Sequence, residues 1–148
     1  MKRFKFRLDP LVRYREYRER IAQIDLAREI QALIETKNRI SGIEEIRRCA
    51  ASDLYGEQKE GIEVDRYRVF TAYLQGLRDE IDSESGRLIE IGKRLKEKQR
   101  VVKAETIKKK TLERMKQNRY SKYLERMNRI EQKAADDLTG LRKKSEKV

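Results

Sequence analysis

Residues 65–102 read DRYRVFTAYLQGLRDEIDSESGRLIEIGKRLKEKQRVV. Tyr67, Leu74, Ile81, Leu88, Leu95 and Val102 stand seven residues apart without a break. Phe70, Leu77 and Ile91 form a second row, interrupted by Glu84 and Lys98. Two apolar rows at a period of seven put one narrow stripe along an α-helix, the stripe of a left-handed coiled coil. The spacing therefore predicts a long helix with a seam of Tyr67, Phe70, Leu74, Ile81, Leu88, Ile91 and Leu95. Gly76, Gly86 and Gly92 lower helix propensity by up to ~1 kcal/mol each relative to alanine.

Such a helix needs a partner, and the preceding sequence supplies one. The only proline, Pro10, follows Asp9, an order that suits a helix start with Asp9 as N-cap. Leu11, Tyr14, Tyr17, Ile21 and Ile24 then step by three or four. After a phase shift Leu26, Ile30, Leu33, Ile40, Ile43 and Ile46 continue the pattern. A first helix over about 10–55 is expected to end at Gly56 as a left-handed cap. A turn over about 56–64, bounded by Gly56 and Gly61, leads to helix two over about 65–141, with Asp65 as N-cap and a frayed C-terminal tail. Between Lys103 and Lys110 the seam thins, and it resumes as Leu112, Met115, Tyr120, Tyr123, Leu124, Met127 and Ile130. The expected fold is all-α: a single coiled-coil domain over 1–148, an antiparallel hairpin with helix two longer than helix one.

Composition agrees with a seam and not with a globular core. Charged residues make up 43% of the chain and apolar ones 37%, where a compact domain has close to half apolar. Charge is also unevenly placed. Residues 93–148 hold 20 Lys and Arg against 8 Asp and Glu, while the first 92 hold 18 of each. Residues 1–20 carry 8 basic and 3 acidic groups; residues 53–90 carry 5 and 10. An antiparallel hairpin would thus have a basic base, where both termini lie, and an acidic tip. A field of that kind can orient the molecule on two different partners.

Much chemistry is missing. With one cysteine, Cys49, and no histidine, neither an internal disulfide nor a zinc or haem site is expected. Cys49 reads as a small seam or flank residue. No phosphate-cradling glycine loop occurs, and the carboxylates lie on solvated helix faces, so no enzyme activity and no cofactor are expected. No apolar run approaches the ~20 residues of a membrane span, and the N-terminus lacks a secretory signal, leading to the expectation of a soluble cytoplasmic protein. Basic residues around Tyr120 and Tyr123 could grip phosphates. Glu97, Glu105, Glu113 and Glu125 break those stretches and no nucleic-acid module is matched, so no nucleic-acid partner is expected.

Three stretches carry a family resemblance. Phe4-Lys5-Phe6-Arg7-Leu8-Asp9-Pro10-Leu11 leading into Tyr14-Arg15-Glu16 resembles the opening of the FliJ family of bacterial flagellar export proteins. Residues 66–77, RYRVFTAYLQGL, resemble the start of that family's second helix, and residues 131–137, EQKAADD, its C-terminal EQKxxDE segment. The resemblance implies a soluble stalk and adaptor of the flagellar type III export apparatus, resembling the central stalk of rotary ATP synthases. Its terminal end would sit in the pore of a hexameric export ATPase, and the remainder would contact the cytoplasmic linker of the export gate protein FlhA and export chaperones. It would be cytoplasmic and peripheral at the inner-membrane export gate. The family's gate surface maps onto Tyr73 and Leu77. Its next alanine becomes Glu80, and its helix-one aromatics have no counterpart around Ile43 to Ala50. On the same reading Arg13, Arg15, Lys116, Arg119, Lys122 and Arg126 are expected to pair with acidic loops of the ATPase ring. The alternatives are the equivalent stalk of a virulence type III secretion system and a basic coiled coil that binds nucleic acid.

Overall fold

The computed structural model describes residues 3–145. Two helices, α1 (Asp9–Glu60) and α2 (Val64–Ser145), pack against each other, and α2 is the longer by 82 residues to 52. Among the described residues there is no strand.

Both helices start within one residue of the sequence reading, but each runs four or five residues further than expected, and the caps differ. Gly56 does not cap α1; it lies inside the helix, which runs to Glu60. The left-handed residue is Gly61, with φ of 94°, a conformation glycine enters without the Cβ clash other residues meet. The turn is only residues 61–63. Glu63, not Asp65, takes the N-cap position: its carbonyl accepts from the Tyr67 N–H at 3.0 Å, and Asp65 sits within the first turn. At the start of α1 the Leu8 carbonyl accepts from the Val12 N–H at 3.0 Å. Asp9 is therefore already in the first turn, where its carboxylate accepts from Lys116 Nζ at 2.7 Å instead of capping. α2 continues past Leu141 to Ser145. From residue 146 the frayed tail expected there lies outside the described residues.

Contacts divide the residues into two compact units: residues up to 20 with those from 104 onward (the terminal unit), and residues 21–103 (the middle unit).

In the middle unit the helices run antiparallel in one unbroken register. Arg39 meets Glu84 at 3.1 Å. Ten residues back along α1, Glu29 meets Arg94 ten residues on along α2, at 3.2 Å. Four further in each direction, Asp25 meets Lys98 at 3.9 Å. Eighteen residues the other way, Glu57 and Arg66 form a two-bonded pair at 2.6 and 2.7 Å beside the turn. Glu84 and Lys98, the interruptions in the second heptad row, are thus seam positions bridged from the facing helix. Exposed pairs of this kind are worth only ~0–1 kcal/mol; their larger effect is to specify the register.

The buried row of α2 is the second one. Ile91 is 1% exposed and Leu77 8%, whereas Phe70, Leu74, Ile81, Leu88 and Leu95 are half-buried and Tyr67 is exposed. The Leu74 row, expected to be largely buried, flanks the contact, and in a two-helix structure no third layer covers a flank. The α1 face also differs from the sequence reading. Ala22, Thr36, Ile43, Ala50 and Leu54 are buried and Leu26, Leu33 and Ile40 half-buried, steps of three, four and seven with no phase shift. Ile21, Ile24, Ile30 and Ile46 are exposed. An unbroken repeat of seven on α2 is matched along its length only by an unbroken repeat on α1, so spacing outweighs side-chain size.

In the terminal unit the seam between the helices is largely polar. Val12 and Glu19 of α1 and Glu105 of α2 are buried. Tyr14 and Tyr17, which the sequence reading put on the seam, are half exposed, and Leu11 is exposed too. The stretch from Lys103 to Lys110 is therefore no gap: Glu105 and Lys109 occupy the heptad rows. Glu19 accepts from Thr106 Oγ1 at 2.7 Å and pairs with Lys109 Nζ at 2.5 Å. Arg15 lies 3.8 Å from Glu105, whose other oxygen takes Lys108 at 3.2 Å.

Candidate functional site

All of the net charge of +12 belongs to the terminal unit. Residues 1–20 and 104–148 hold 22 Lys and Arg against 10 Asp and Glu; residues 21–103 hold 16 of each. The segment before α1 packs on this basic unit. Residues 3–6 are not helical, and they lay two phenylalanines on α2. Phe6 is 4% exposed, with the Arg119 guanidinium 5.6 Å from its ring centroid. The Phe4 ring meets Tyr120 edge-on at 5.2 Å and Tyr123 at 5.5 Å.

Phe4 separates two grooves. One, of about 280 Å³, is lined by Phe4, Arg119, Lys122, Tyr123 and Arg126, with no carboxylate in its wall. The other, of about 490 Å³, is lined by Phe4, Val12, Glu16, Glu113, Lys116, Gln117 and Tyr120. The positions 119, 122 and 126 follow the three-four spacing that stacks side chains on one helix face.

Of the six basic residues expected at the ATPase ring, the structure gathers Arg119, Lys122 and Arg126 in the first groove and Lys116 in the second. Lys116 is held by Asp9. Arg15 is taken up by Glu105 and the Tyr14 ring, 5.5 Å away. Arg13 is exposed and lines neither groove. Sequence reading missed Phe4 as a groove wall. The signal was the Phe4-x-Phe6 spacing ahead of the helix start, which leaves two aromatics with no helical seam to join.

The seam charges tune each other. The Glu19 carboxyl is held below its usual 4.5, first by the hydrogen bond from Lys109 and then by that from Thr106, against the opposing effect of burial. Lys109 is raised above its usual 10.5 by the same bond.

In the middle unit Tyr73 is 50% exposed. It shares a groove of about 380 Å³ with Phe70 and, from α1, Glu45, Ile46, Cys49, Ala50 and Asp53. Leu77, expected beside it on the gate-binding surface, is instead buried in the seam, because it stands on the central heptad row. Cys49 is exposed on the flank. Ile46, half exposed, is the α1 residue that sequence reading did not place on this surface.

Among the described residues no group of His, Cys, Asp and Glu could hold a metal ion, and no helix is long and apolar enough to cross a membrane. The chain matches no curated protein and no solved structure. It does match the family model described as flagellar FliJ protein, over residues 4–146. That match takes in the Phe4 segment, both helices and all three grooves, and the chain therefore belongs to the FliJ family of proteins associated with flagellar export.

Proposed function

We propose that this chain is the stalk and adaptor of the flagellar export apparatus. Its terminal unit enters the ring of the hexameric export ATPase, and its middle unit contacts the cytoplasmic linker of the gate protein FlhA and export chaperones. The protein works in the cytoplasm, peripheral to the inner-membrane gate. The observation that carries this reading is the placement of the whole +12 in one unit, with Arg119, Lys122 and Arg126 unopposed by any carboxylate in their groove.

A basic surface of that kind gains by meeting the acidic lining of a ring, and steering by its field favours one unit over the neutral one. The gate contact uses Tyr73 with Phe70 and Ile46 in the groove described above; Leu77 supports it from within the seam. The family match favours the flagellar system over the virulence alternative.

The test is co-purification with the flagellar export ATPase and the gate linker, and stimulation of ATP hydrolysis across a salt series. A variant with Arg13, Arg119, Lys122 and Arg126 changed to glutamine is expected to lose stimulation while keeping its helicity. Binding by the parent should weaken as salt shortens the Debye length from ~10 Å at 0.1 M towards ~3 Å at 1 M. Full stimulation by that variant with no salt dependence would refute the ring contact.

A further inference from the structure

We infer that the groove of Phe4, Arg119, Lys122, Tyr123 and Arg126 binds an acidic peptide segment anchored by one aromatic side chain. The inference rests on the stalk reading for which protein carries that segment, and on the groove's own chemistry for the rest.

Most cations that face the other helix in the terminal unit already have a carboxylate: Arg15 has Glu105, Lys109 has Glu19 and Lys116 has Asp9. Lys122 and Arg126 have no ion pair among the described residues, and Arg119 sits over the Phe6 ring. These three span about 10 Å along α2 at 1.5 Å per residue, room for two or three carboxylates of an extended chain. Between them the wall is aromatic, made by the Phe4 and Tyr123 rings 5.5 Å apart.

A small inorganic anion would satisfy the cations and make no use of that aromatic wall. An aromatic side chain would use it, and Arg119 and Arg126 line the same groove, where cations attract the face of a ring. A nucleic-acid strand needs a basic track that continues along its backbone. Here the track stops: beyond Phe4 the neighbouring groove presents Glu16 and Glu113. A short acidic segment with an apolar anchor is the occupant whose charge and shape both match.

The chain contains no tryptophan, so a glutamate-rich peptide with one central tryptophan reports its own burial by fluorescence. With the full-length protein, the expected result is a saturable blue shift that weakens with salt. Lys122→Gln with Arg126→Gln, both at exposed positions, should weaken binding by about tenfold, as expected for two solvent-exposed pairs. Phe4→Ala should abolish the blue shift, with circular dichroism showing that the helices persist. A matched peptide with serine in place of tryptophan, followed by competition, should bind markedly less well.

Equal binding of the serine peptide, or unchanged affinity in the Lys122→Gln, Arg126→Gln variant, would overturn the inference. Tighter, salt-steep binding of single-stranded DNA would overturn it too. If the peptide binds as stated while the ATPase does not bind, the groove chemistry stands and the stalk reading falls. If the ATPase binds that double variant as it binds the parent, the stalk reading stands and the groove inference falls.

Discussion

Glu19 of α1 and Lys109 of α2 pair at 2.5 Å within the helix-helix seam of the terminal unit, where heptad packing ordinarily buries leucine or isoleucine. Thr106 also donates to the Glu19 carboxylate, so the buried group has two partners from the facing helix. Two desolvated charges stabilise a fold little more than apolar residues of the same volume, but each makes the other indispensable. Glu19→Leu alone should therefore lower the melting temperature by stranding Lys109. Glu19→Leu with Lys109→Leu should bring it back to the parent value or above. Thermal unfolding of the three proteins, followed by circular dichroism, decides it; a double variant less stable than Glu19→Leu alone would contradict the seam assignment.

The same pair sets a pH dependence. A carboxyl whose folded pKa is depressed contributes stability above its unfolded pKa, and loses it as pH falls through the folded one. For Glu19 the contribution should be complete above the usual 4.5 and fade as pH drops below it. Lys109, raised above 10.5, contributes below that value and loses its contribution as pH climbs through the raised pKa. The gap in melting temperature between parent and Glu19→Gln should be widest near neutral pH and close towards pH 3. A gap that stays constant across that range would mean the pair does not titrate with folding.

The central row of the middle unit should carry most of its apolar stabilisation. Ile91→Ala should cost about 2–5 kcal/mol, the range for emptying a well-packed site. Leu88→Ala, on the half-buried flank, should cost clearly less. Urea unfolding of both variants measures this, and a larger loss at Leu88 would reverse the order of the two heptad rows.

Glycine positions give an independent check of the turn. Gly61→Ala forces a left-handed conformation and should cost about 1–2 kcal/mol. Gly56 is helical, and a methyl group added there would meet open space, so Gly56→Ala should stabilise by roughly 0.5–1 kcal/mol. Thermal or urea unfolding of the two variants measures both changes, and opposite signs would restore the cap to Gly56.

The fold was legible because Leu74, Ile81, Leu88 and Leu95 stand at an unbroken interval of seven on a helix with few competing apolar faces. Which row lay centrally was not, because Glu84 and Lys98 disguise the row of Leu77 and Ile91, and their partners Arg39 and Asp25 lie far away in sequence. On α1 the buried face is made partly of Ala22, Thr36 and Ala50. These small side chains carry little pattern beside the bulkier Tyr14, Tyr17, Ile21 and Ile24 outside it. The terminal unit misled for a related reason: a hydropathy pattern reads Glu105 and Lys109 as a gap, whereas their partners on α1 make them seam residues. Of the basic residues expected at the ring, Arg119, Lys122 and Arg126 stand at helical spacing and line one groove. Arg15 was not separable from them, since nothing local reveals its engagement with Glu105.

On the function proposed above, the basic groove of the terminal unit meets the export ATPase and the Tyr73 groove of the middle unit meets the gate. Site-specific photo-crosslinking in cells tests it most directly, with a crosslinker placed at Lys122 in one strain and at Tyr73 in another. Adducts from position 122 are expected to contain the ATPase, and those from position 73 the FlhA linker. Adducts in the reverse order, or nucleic acid in place of the ATPase at position 122, would contradict it.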